Sequence, residues 1–140
     1  MAGCRWRETI NYWVHPLEER SLGLSGNFLR GFHGRLTHGM GNLTHLHMAH
    51  NNIVDLPIVF PPEYYHLKML NISGNYLYYL PDNMGDLLPH LEELDIAGNQ
   101  FTSFSPVGIA FINRLDRVHF TNNPWDCSCS VQHIQMHMRE

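Results

Sequence analysis

The side chains that could carry chemistry in this chain are chiefly histidines and carboxylates. His45 and His47 stand two residues apart, a spacing at which two imidazoles on one strand can reach the same metal ion. Asp95 and His119 are 24 residues apart and could form an acid–base pair between neighbouring repeats. These patterns include no third metal ligand, no nucleophile and no oxyanion donor. We therefore predict no metal site, no cofactor and no enzymatic activity.

The three cysteines are a second group with reactive side chains. Cys127 and Cys129 are separated by one residue, which strains a disulfide between them, and Cys4 lies near the other end of the chain. Two interpretations stay open from the residues alone: a zinc site completed by His133 or His137, and free thiols in a cytosolic protein. Zinc sites usually separate their paired cysteines by two to four residues, so the spacing here disfavours zinc.

These residues are embedded in a repeat that recurs every 24 residues. Its most regular mark is a series of asparagines, at Asn27, Asn51, Asn75, Asn99 and Asn123. Apolar residues precede and follow the asparagines at fixed offsets, as Leu67, Leu70, Ile72 and Leu77 do around Asn75. The first repeat departs from the pattern with Glu19 in place of a leucine, and the fifth departs with Trp125 in place of an aliphatic residue. A fixed period in this range is typical of a solenoid, in which each repeat buries its apolar face against its neighbours.

The pattern within each repeat predicts the fold class. Leu70 and Ile72 are two residues apart, as on the buried face of a strand. Proline at Pro57 and Pro81 favours an irregular return segment with only short helical turns. We therefore predict an α/β solenoid: an arc with a parallel concave β-sheet and an irregular or short-helical convex side. The asparagines should turn inward and hydrogen-bond backbone groups of their own turn and of the next repeat.

The repeat L-x-x-L-x-L-x-x-N-x-L, its period and the sequence NPWDCSC at residues 123–129 resemble the extracellular leucine-rich repeat family of Toll-type receptors, Slit and chaoptin. The resemblance divides the chain into a degenerate repeat or N-terminal cap remnant (1–18), about five repeats (19–122) and the start of a truncated C-terminal cysteine cap (123–140). It implies that Cys127 and Cys129 pair with later cysteines that this chain does not contain. We therefore expect the chain to be a fragment of a longer protein.

Composition and local motifs narrow the location and the partners. A net charge of −4, with nine basic residues that do not cluster, predicts no nucleic-acid binding. No stretch is long enough for a membrane span, and the first residues do not resemble a signal peptide, although the parent protein could be membrane-anchored. By resemblance, we expect an extracellular or cell-surface location. Asn42 and Asn71 begin N-x-S/T sequons and are candidate N-glycosylation sites.

The repeat register also predicts a binding surface. We expect a protein ligand, or a glycan, to contact the outward side chains of the concave face: His45, His47, Lys68, Met69, Asn71, Glu92, Glu93, Asp95, Arg117 and His119. The resemblance implies a non-catalytic recognition module of a receptor, adhesion or innate-immune protein. The alternatives are a structural protein of the extracellular matrix and an intracellular leucine-rich repeat adaptor.

Overall fold

A computed structural model describes residues 21–57 and 59–126. The described residues form a solenoid whose concave side is a five-stranded sheet with the strands in sequence order. All neighbouring strands are parallel and paired in register, each residue facing its equivalent one repeat away. The predicted fold class is confirmed. The strands are β1 (Ser21–Gly23), β2 (His45–His47), β3 (Met69–Asn71), β4 (Glu93–Asp95) and β5 (Arg117–His119).

The convex side consists of short helical segments and irregular chain. The longest helix begins at Pro106, and the Ser105 hydroxyl accepts a hydrogen bond from the Gly108 amide (3.1 Å), which caps its first turn. The return segments thus contain the short helical turns that the sequence predicted. The segments are α1 (Gly34–Thr37), a 3₁₀ helix (Pro62–His66), α2 (Met84–Leu87) and α3 (Pro106–Arg114).

The core runs along the solenoid as a stack of equivalent residues. The central residue of each strand is fully or almost fully buried, and each pairs in register with the next: Leu22, Leu46, Leu70, Leu94 and Val118. Burying each such side chain contributes about 1.5–3 kcal/mol. At the C-terminal end of the described stack, Trp125 lies against Phe101, Phe104 and Phe120 and donates to the Phe120 carbonyl (2.7 Å).

The asparagines hold each repeat to the one before it. The Asn51 amide nitrogen donates to the carbonyls of Leu24 (3.1 Å) and Met48 (3.0 Å), and its oxygen accepts from the Asn27 and Leu29 amides (both 2.9 Å). The expected bonds to the asparagine's own turn are present, as to the Met48 carbonyl, whereas the bonds to another repeat go to the preceding repeat and not to the next one. The reason is that the Asn27 and Leu29 amides of the preceding turn are directed at the Asn51 oxygen, which is their acceptor.

A left-handed residue ends the concave strand segment in every repeat. Positive φ values between 56° and 75° occur at the residue before each asparagine: Gly26, His50, Gly74, Gly98 and Asn122. Glycine adopts this conformation without steric cost, whereas His50 and Asn122 adopt it at some expense. This reversal of the chain is what confines the outward-facing residues to short parallel strands.

Candidate functional site

Two rows of outward side chains cross the concave sheet. The first residue of each strand and the third are more exposed than the central one in all five strands. The strand register therefore aligns one row of His45, Met69, Glu93 and Arg117 and a second row of His47, Asn71, Asp95 and His119. Lys68 and Glu92, just before β3 and β4, are also exposed.

Glu93 is the centre of the polar contacts on this face. Its carboxylate lies 2.9 Å from His119 Nε2 and 3.7 Å from Arg117 Nη1. In the strand register, Asp95 pairs with His119 and Glu93 pairs with Arg117. The carboxylate hydrogen-bonded to His119 Nε2 is nevertheless that of Glu93, two residues before Asp95 on the same strand. One Asp95 oxygen accepts instead from the Ala97 amide (3.0 Å). The two contacts form a polar network: Glu93 and Arg117 are a surface ion pair, of a kind that stabilises by about 0.2–1 kcal/mol, and Glu93 and His119 share a hydrogen bond.

A shallow open depression lies over the middle of this network. Its lining carries three carboxylates (Glu92, Glu93 and Asp116) and two cations (Lys68 and Arg117), together with His45 and Met69. Charges of both signs on a rigid sheet can pair with complementary charges on another molecule, which favours specificity and the rate of association.

The surroundings of His47 favour its neutral form. Burial lowers the pKa of His47, and the neighbouring His45 lowers it further, while Glu93 acts in the opposite direction. The His45 ring has its own hydrogen bond, between Nδ1 and the Thr44 hydroxyl (2.8 Å). Within residues 21–57 and 59–126, no three histidine, cysteine or acidic side chains are grouped as metal ligands.

The two sequon asparagines have different surroundings. Asn42 is exposed in a turn before β2. Asn71 is the last residue of β3 and only partly exposed, and its side-chain oxygen accepts from both the Ser73 amide (3.0 Å) and the Ser73 hydroxyl (2.7 Å). The side-chain amide of Asn71 and the hydroxyl of Ser73, the two reactive groups of the second sequon, are therefore hydrogen-bonded to each other.

Sequence reasoning overlooked two sets of side chains outside the concave sheet. One is a group of exposed aromatic residues beside the asparagine turns, Phe28, Tyr76, Tyr78 and Tyr79. The other is the pair His66 and His90, whose rings contact each other on the flank. The signal for the pair was available, because both residues occupy the same place in consecutive repeats.

The described residues contain no helix that is long and apolar enough to cross a membrane.

Comparison with known proteins agrees with this architecture. A family model described as a leucine-rich repeat matches residues 65–124, and a second matches residues 42–56. Protein toll of Drosophila melanogaster is 29% identical over 93 residues, which are 64% of this chain and 8% of Toll.

Two solved structures are similar in shape. The crystal structure of human trophoblast glycoprotein matches 69% of this chain and 35% of its own, with 28% identity and a TM-score of 0.58. The Toll chain of the Drosophila Toll–Spätzle complex matches 92% of this chain and 17% of its own, with 20% identity and a TM-score of 0.63, a likeness of fold alone. This chain thus spans about a third or less of these proteins.

The matched regions are non-catalytic leucine-rich repeat domains. The two family models together cover more than half of the chain, and the 24-residue register of asparagines and buried leucines extends through all five described strands. The chain therefore belongs to the leucine-rich repeat family, in its extracellular type.

Proposed function

We propose that this chain is a non-catalytic recognition module whose concave face binds a protein ligand. The observation that carries the proposal is the open depression over β2–β5, where carboxylates and cations stand side by side on one rigid sheet. Glu93 already contacts Arg117 and His119, whereas Glu92 and Asp116 are exposed beside it. A ligand with a basic patch would pair with these two carboxylates.

The rigidity of the face supports recognition of a folded partner. Neighbouring strands are hydrogen-bonded to each other along the sheet. The asparagine side chains also hydrogen-bond consecutive turns together. The outward side chains therefore change little in position when a partner docks, which limits the entropy lost on binding.

The related Toll receptor supports a protein rather than a small molecule as ligand. The solved neighbour of 20% identity is a complex between Toll and the protein Spätzle. The fold that this chain shares with Toll is thus one that can engage a protein ligand.

We further propose a secreted or cell-surface location, in a receptor, adhesion or innate-immune protein, with Cys127 and Cys129 serving a C-terminal cap. The support is the extracellular type of the family and the exposed sequon at Asn42. On secretion from cultured animal cells, Asn42 should carry a glycan. Asn42→Gln should then remove a glycosidase-sensitive mobility shift that Asn71→Gln leaves in place, and a shift that depends on Asn71 alone would contradict this expectation.

Photo-crosslinking tests the binding face. A benzoylphenylalanine residue is placed at Lys68 on the concave face or at Ala110 on the convex helix α3, both exposed. The secreted protein is then exposed to extracellular fluid of the source organism. We expect a discrete protein adduct from position 68 that Glu92→Lys together with Asp116→Lys suppresses. Equal adducts from both positions, or an adduct from position 110 alone, would refute the concave face as the binding site.

A further inference from the structure

The histidine pair His66 and His90 lies on the flank of the solenoid where two consecutive repeats meet. Each histidine directly precedes the first leucine of its repeat, at Leu67 and Leu91. Both side chains are exposed. The strands of a sheet are about 4.8 Å apart, so equivalent residues of adjacent repeats emerge side by side in the same direction. The solenoid itself therefore imposes the pairing of these two imidazoles.

The spacing of the two stacked rings suits chelation once the rings rotate. The ring centroids of His66 and His90 are 5.6 Å apart, with an angle of 20° between the ring planes. When two imidazoles bind one metal ion at about 2.0–2.1 Å with a tetrahedral angle, their centroids lie about 5 Å apart. The observed separation is close to that value. Rotation about the terminal side-chain torsion, which is broad for histidine, can direct one nitrogen of each ring toward a common point.

The pair lies in a small exposed cluster of rings with Tyr65. Tyr65 lies against both imidazoles, with centroids 5.2 Å from His66 and 5.4 Å from His90, and shields one side of the pair. The two histidines of the concave face differ from this pair: the His45 ring is hydrogen-bonded to Thr44, and His47 is half-buried. His66 and His90, in contrast, are both exposed residues.

We propose that His66 and His90 together bind a divalent transition-metal ion, with Cu²⁺ held more tightly than Zn²⁺, as the general order of metal affinity for nitrogen ligands requires. Two protein ligands leave the remaining coordination positions to water, so the ion stays accessible to a donor group from outside. The bound ion would clip two consecutive repeats together and stabilise the native state by mass action. This site is independent of the ligand of the concave face.

Metal titration of the whole chain tests the proposal. The chain has eleven histidines, so the readout must be local. The three cysteines are first alkylated, because thiolates would take Cu²⁺ and Zn²⁺ ahead of two imidazoles. Substoichiometric Cu²⁺ is then added and the aromatic proton resonances are followed by NMR. Those of Tyr65, His66 and His90 should broaden first. In parallel, Zn²⁺ binding is measured by calorimetry at neutral pH, with Mg²⁺ as the negative control.

Matched variants assign the ligands. His66→Ala and His90→Ala should each weaken Zn²⁺ binding at this site at least about tenfold, because even groups one shell further from a metal have effects of that size. The double variant should be little weaker than either single one. His33→Ala, which removes another exposed histidine, should have no effect. Circular dichroism checks that each variant is folded.

The proposal is overturned if the single variants bind Zn²⁺ as tightly as the parent chain, or if Cu²⁺ broadens resonances elsewhere before those of Tyr65. Either result would make the pair an aromatic contact only. The affinity should also fall on acidification, because protons compete with the metal for the imidazole nitrogens. An affinity that is independent of pH between 5 and 7.5 would equally exclude histidine ligation.

Discussion

Replacing Asn75 by alanine tests the contacts that join the repeats. The side chain is 3% exposed. Its oxygen accepts from the Ile53 amide (3.0 Å), and its nitrogen donates to the carbonyls of Met48 (3.1 Å), Ile72 (3.0 Å) and Ser73 (3.1 Å). All four bonds are lost in Asn75→Ala, so the cost depends on which of the former partners keep another bond.

The three carbonyls keep a donor. Met48 O still accepts from Asn51 Nδ2, Ile72 O from Asn99 Nδ2, and Ser73 O from the His50 amide. The Ile53 amide, in contrast, loses the acceptor that the structure gives it. One unpaired buried N–H group costs about 1–3 kcal/mol, so we expect Asn75→Ala to lower the free energy of unfolding by about 2 kcal/mol.

Urea unfolding followed by circular dichroism measures this loss. With a urea dependence of about 1–3 kcal/mol/M, the midpoint should fall by about 1 M. Gln100→Ala is the matched control, because it removes an exposed amide side chain one residue after the next asparagine of the series. Exposed substitutions of this kind usually stay within about 0.5 kcal/mol. Equal midpoints for the two variants would show that the Asn75 contacts do not stabilise the solenoid.

Three further substitutions or conditions give measurable outcomes. The Tyr64 hydroxyl is buried with no hydrogen-bond partner among the described residues, so Tyr64→Phe should raise the free energy of unfolding by about 1 kcal/mol. Tyr78→Phe, at an exposed tyrosine, is the control and should not raise it. A loss of stability in Tyr64→Phe would contradict this expectation. Gly98 has a φ of 67°, so Gly98→Ala should lower stability by about 1 kcal/mol in urea unfolding, and Gly31→Ala, which has no positive φ, should not lower it. Because the pKa of His47 is lowered in the native state, its contribution to stability is complete above about pH 6.5 and is lost as the pH falls through the native pKa. The urea midpoint of His47→Gln should therefore fall less on acidification than that of the parent chain, and parallel pH profiles would exclude this assignment.

The strand register could be predicted because burial leaves little freedom. A strand presents alternate residues to opposite faces, and a shift by one residue would expose Leu46 and Leu70 to water. The 24-residue spacing then aligns equivalent strands, which is why Leu46 pairs with Leu70 and Leu94 as expected. The ligand-contacting role of the outward residues remains a prediction, because register decides where a side chain starts but not what binds it.

Contacts between side chains of different length could not be read in the same way. Glu93 reaches diagonally to His119, whereas the shorter Asp95 bonds to the Ala97 amide of its own chain segment. The choice depends on rotamers and on competition from nearby backbone amides, neither of which has a periodic signal in the sequence. The left-handed conformation of His50 could not be predicted from the histidine itself. The only indication of it in the sequence is that the equivalent positions of three other repeats are glycines: Gly26, Gly74 and Gly98.

The repeat, the parallel sheet, the buried leucines and the inward asparagines could all be predicted from the amino-acid sequence, because each follows from a local rule that recurs every 24 residues. Three features became visible in the folded chain alone: the asparagines bond to the preceding repeat, Glu93 is hydrogen-bonded to His119, and His66 and His90 meet on the flank. These features are contacts between groups of different repeats. Which contacts form depends on interatomic distances in the folded solenoid, and those distances leave no periodic signal in the sequence.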